Sequence, residues 1–101
     1  MFNENNLAIY APRIDSYLLN DENEVLIVCS VLGLESENSI DVLCDGKTIC
    51  IQQGGKVFLK QEISELANRA LAISSSVHIV EVSPDGDYSV LHPHAHLVLE
   101  S

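Results

Sequence analysis

Apolar and polar positions divide the chain into short, strand-sized pieces. Residues 25 to 31, VLIVCSV, form a β-branched apolar run that follows the polar stretch NDENE and stops before Gly33. The run is too short for a helix, and it predicts a strand covered on both faces. SIDVLCDGKTICIQQGG supplies two further apolar pieces around Asp45-Gly46, a pair that accepts the positive φ angles of a tight turn. Residues 39 to 52 therefore predict a β-hairpin.

Beyond Gly54-Gly55, KVFLKQEI alternates Val57, Leu59 and Gln61 with Phe58, Lys60 and Glu62, which is the period of an extended segment. ISELANRALAI is the helix candidate: Ser64 suits an N-cap, and Ile63, Leu66, Ala67, Ala70 and Leu71 fall near helical spacing. One or two turns are expected, followed by a strand over residues 71 to 73. A further strand over residues 77 to 82 is closed by the turn signal SPDG. The last strand-like stretch, residues 88 to 99, contains Pro93, which cannot donate to a ladder and so confines the stretch to an edge or a bent tail.

Strand following strand with one short helix predicts an all-β fold, an immunoglobulin-like antiparallel β-sandwich of seven to eight strands. Residues 1–11 are expected to be a short amino-terminal arm, 12–84 the sandwich domain, and 85–101 a carboxy-terminal strand or tail. The 101-residue length suits one domain, and 47% hydrophobic content argues against disorder.

Charge changes the list of partners. Five Lys and Arg against fifteen Asp and Glu leave a net charge of -10, with the cations scattered, so nucleic acid and anionic membranes are not expected partners. No apolar stretch approaches the length needed to span a bilayer. Cys29, Cys44 and Cys50 are odd in number, and no charged start with an apolar run and cleavage site precedes them. A cytoplasmic setting with reduced thiols acting as small core residues is the expectation.

His92, His94 and His96 are the candidate chemistry. In one continuous strand they share a face with Val90 and Val98, while Leu91, Pro93, Ala95, Leu97 and Leu99 form the other, apolar face. Successive residues on one face stand about 7 Å apart, whereas zinc takes nitrogen at about 2 Å, so the three could converge on a metal only through a bend. A solvated histidine face that needs no ligand is therefore expected, with metal binding through these histidines as the third-ranked function. The chain has no GxxxxGK[ST], Gly-x-Ser-x-Gly or Cys-x-x-Cys motif, so no enzyme activity and no cofactor are expected.

The order of the elements resembles a known family. Pro12, Ile14, Asp15 and Tyr17, then Val25 to Leu34 with Gly33, then Ile40, Asp41 and Val42 with DGKTICI, resemble the opening half of the α-crystallin domain of the small heat-shock proteins. RALAISSSVHIVEV, residues 69 to 82, resembles its later strands more faintly. Leu32 stands where the family has proline, and Ser75-Ser76 where it has Asn-Gly. QQGGKVF is too short for the long loop through which bacterial and plant members swap a strand, and the related CS-type adaptor domains share that short connection.

This resemblance implies an ATP-independent holdase or chaperone-associated domain that binds exposed apolar segments of client proteins, with a homodimer as its self-association. Its client groove would lie between Ile40 and Val42 on one side and Leu71 and Ile73 on the other, with Leu97 and Leu99 as a tail element that docks there as an added strand. The alternative is an adaptor of the same fold with one specific protein partner.

Overall fold

A computed structural model of the chain describes residues 12–83, 85–93 and 95–100. Eight strands and one helix follow in order: β1 (Arg13–Leu19), β2 (Glu24–Ser30), β3 (Ile40–Cys44), β4 (Thr48–Gln53), β5 (Lys56–Glu62), α1 (Glu65–Ile73), β6 (Ser76–Val82), β7 (Ser89–His92) and β8 (Ala95–Leu99). They form two four-stranded sheets, ordered β1-β2-β6-β7 and β5-β4-β3-β8, in a β-sandwich.

Each sheet contains one parallel pair, β2 with β6 and β3 with β8, so the sheets are mixed and not purely antiparallel. Parallel neighbours need long connections. Here both later strands return from the opposite sheet, β6 after α1 and β8 after Pro93. As the proline predicts, β7 and β8 are edge strands. They also complete the two sheets.

The core lies between the sheets. Val25, Ile27 and Cys29 of β2 and Val77 and Ile79 of β6 face Ile40, Val42 and Cys44 of β3 and Ile49 and Ile51 of β4. In β2 one face is fully buried, while Leu26 and Val28 on the other are only partly covered, so the expected two-sided burial is incomplete. The hairpin around Asp45-Gly46 forms as expected, with Gly46 at φ 91°. The Asp45 carboxylate accepts from the amides of Lys47 and Thr48 at 2.9 and 2.7 Å.

The helix departs from expectation. It runs nine residues, Glu65–Ile73, and takes in the residues assigned to a strand over 71 to 73. Ser64 is its N-cap, accepting from the Ala67 amide. Leu71 stays in helical phase because Ile63, Ala67 and Leu71 make one buried face, and placing Leu71 in the core outweighs the β-branched Ile73 at the end. The helix closes one end of the sandwich: Cys44 donates to Asn68 at 3.3 Å, the Ile63 amide to the Lys47 carbonyl at 2.9 Å, and the Ser75 amide to the Asn23 carbonyl at 2.8 Å.

Candidate functional site: an apolar groove between β1 and α1

β1 is an edge strand whose two halves meet different neighbours. At its start the Ile14 amide donates to the Gln61 side chain of β5 at 2.9 Å, which fastens the two sheets together. Further along, Tyr17 packs against the core, and Leu19, on the same side of the strand, continues that apolar face past the sealed part of the sandwich. Opposite stands the outer flank of α1. Between them lies a predominantly apolar groove of about 680 Å³, lined on the strand side by Tyr17 and Leu19 and on the helix side by Leu66, Ala70 and Ile73.

These side chains are left uncovered. Leu66 is 79% exposed, Ile73 62% and Leu19 48%. Leu18, Leu32, Val57, Tyr88, Leu91 and Leu99 are also exposed but do not line this groove, where three exposed aliphatic side chains converge. The Tyr17 hydroxyl is buried without a hydrogen-bond partner among the described residues. Burial, and then the nearby Cys44, push its pKa up to about 12, so it stays neutral.

One charged side chain, Arg69, lines the groove. It donates to Glu65, one turn back on the helix, at 2.9 Å. Beyond the end of α1 the β1–β2 turn is tied to the residue after the helix cap, the Ser75 hydroxyl donating to the Glu22 carbonyl at 2.9 Å. In that turn Asn20 accepts from the amides of Glu22 and Glu24, and Asn23 takes a positive φ of 62°, which asparagine tolerates better than most residues.

The groove implied by the family resemblance does not form. Ile40 and Val42 are sealed in the core, Leu71 is buried beneath α1, and Ile73 is exposed on the helix. With helix in place of the implied strand, these four residues do not line one surface. Leu97 and Leu99 do belong to a strand added beside β3, but it is this chain's own β8, with Leu97 opposite Val42. Leu97 packs on the core and Leu99 remains exposed.

The histidine face is also redrawn. Pro93 separates His92 on β7 from His96 on β8, and the two strands lie in different sheets, so the alternation does not run through. Leu91 points outward, and His92, 1% exposed, points into the core. There its Nε2 lies 2.8 Å from a carboxylate oxygen of Glu81, itself 5% exposed. His96 is exposed, and His94 lies outside the described residues. Among the described residues no group of three or more His, Cys, Asp or Glu side chains is arranged to hold a metal ion.

Cys29 shares the interior with this pair, opposite Glu81 in the β2–β6 ladder. Its thiol is pushed up to about 12 by burial first, and then by the negative charges of Glu81 and Asp15. A buried, protonated thiol is a poor nucleophile.

No family model, no curated protein and no solved structure matches the chain. Among the described residues no helix is long and apolar enough to cross a membrane.

Proposed function

We propose that this chain is a binding domain without bond chemistry, which captures a short exposed apolar segment of another protein in the groove between β1 and α1. The carrying observation is the convergence of Leu19, Leu66 and Ile73, all uncovered, around one concavity beside an edge strand. The reading keeps the ATP-independent, chaperone-like binding that the sequence resemblance implies and moves the binding surface away from β3. The buried Cys29, His92 and Glu81 are closed off from solvent and take no part in this binding.

Magnitudes suit transient capture. Fully burying an aliphatic side chain is worth about 1.5 to 3 kcal/mol, so covering three that are already partly sheltered gives on the order of 3 to 6 kcal/mol before the costs of association. Such a site holds a segment weakly and releases it without fuel.

The test is suppression of heat-induced aggregation of two unrelated enzymes, followed by light scattering, with the parent chain and a Leu66→Glu/Ile73→Glu variant. The parent should suppress scattering from both and the variant from neither. Suppression of neither, together with retention of one protein from a crowded mixture that the variant fails to retain, would favour the adaptor with one specific partner. Equal behaviour of parent and variant in both assays would remove the groove as the site.

A further inference from the structure

The outer face of the β1-β2-β6-β7 sheet carries a second apolar surface, separate from the groove, and we infer that it seats a second copy of this chain, sheet face against sheet face, in a reversible homodimer. The register places Leu18 beside Leu26, Val28 beside Val80 and Val80 beside Leu91, with Val82 in the next outward position of β6. These six side chains alternate with the core residues of their strands and so point away from the other sheet. Because α1 closes an end of the sandwich, it leaves them to solvent: Leu18 is 53% exposed, Leu91 56%, and the other four are partly exposed. A strand apolar on both faces, as β2 is, has the pattern of a sheet covered on both sides, and in the single chain one side lacks its cover.

Charge and shape both favour a second copy as that cover. Of the fifteen Asp and Glu in a chain of net charge -10, these four strands carry Asp15, Glu24 and Glu81. Glu81 faces the core, and each of the other two is matched within its own chain, Asp15 with Arg13 at 2.8 Å and Glu24 with His78 at 3.3 Å. Two copies that meet here bring together an aliphatic centre and a compensated rim, while most of the like charge that opposes self-association lies off these strands. Identical sheets share one twist, so they stack with strands within about 30° of each other, and a two-fold axis lays the same aliphatic rows against one another. β2 and β6 run seven residues each. With four strands about 4.8 Å apart, the face measures about 20 by 23 Å at its widest. Counted on both copies and roughened by side chains, it reaches the lower end of specific interfaces, about 1,200 Å² in total, which suits a dimer that forms and dissociates.

The mass of the full chain by analytical ultracentrifugation, at concentrations from about 1 to about 500 μM, tests this. The parent should pass from the chain mass towards twice that value. Leu18→Glu/Leu91→Glu should weaken the dimer at least tenfold while keeping the Tm of the dilute parent, since both positions are exposed in the single chain. If its Tm falls, Leu91→Ser on edge strand β7 carries the same test. A parent that stays monomeric throughout would overturn the inference, as would a dimer indifferent to these variants. A dimer lost only in Leu66→Glu/Ile73→Glu, which would place the second copy in the groove, overturns it equally. So does a dimer that appears only once residues 1–11 are removed, which would make that segment the cover of the face.

Discussion

Glu81 on β6 and His92 on β7 face each other inside the sandwich, 2.8 Å apart, with 6% and 2% of their side chains exposed. The Nε2–H of the imidazole can donate to the carboxylate, while its Nδ1 has no hydrogen-bond partner among the described residues. A carboxylate in such a position is tolerated because it is paired.

Removing one partner should therefore cost more than removing both. His92→Ala should lower the free energy of unfolding by about 3 to 5 kcal/mol, because it strands a buried carboxylate. Glu81→Met/His92→Leu, which restores apolar packing of similar volume, should lie within about 1 kcal/mol of the parent. Urea unfolding of the two variants checks this, and a cost below about 1 kcal/mol for His92→Ala would contradict the pairing.

The thiols should divide by depth. Cys50 is partly exposed, whereas Cys29 and Cys44 are buried. Alkylation at pH 8 followed by mass spectrometry should show one reactive thiol and two protected ones in the folded chain. Because the folded pKa of Cys29 is raised to about 12 from an ordinary 9.0, the unfolded chain loses this proton first as the solution becomes alkaline. Its contribution to stability is thus fully present below about pH 9 and lost as pH rises from there towards 12. Cys29→Ser should flatten that alkaline decline in Tm.

At the acid end, Asp45 accepts hydrogen bonds from Thr48 and Lys47, and these hold its carboxyl below the ordinary value. A depressed carboxyl contributes stability that is present above the ordinary aspartate pKa of about 4 and lost as pH falls through the lower folded value. Asp45→Ala should reduce the dependence of Tm on pH between about 2 and 5 relative to the parent, and an unchanged slope would contradict this assignment.

Local rules predicted much of the fold. The apolar run of β2, the Asp45-Gly46 turn and the Ser64 cap are each decided by a few adjacent residues, and each formed. Sheet membership depends on distant partners, so neither parallel pair was readable from alternation, although Pro93 did mark the point where the chain changes sheets. Counting parity across that proline put His92 outside and Leu91 inside, the reverse of what folds. The groove was harder to foresee. Leu66 has the same helical spacing as the buried Ala67 and Leu71, and only the placement of α1 over the end of the sandwich leaves it uncovered.

The central claim is the location of binding, and the amide spectrum of the isotope-labelled chain tests it directly during titration with a short apolar peptide. Shifts should concentrate in residues 17 to 19 and 64 to 73, on the two walls of the groove. Shifts confined to β3 and β8, with α1 silent, would contradict the account and return the binding surface to the strand the family resemblance implies.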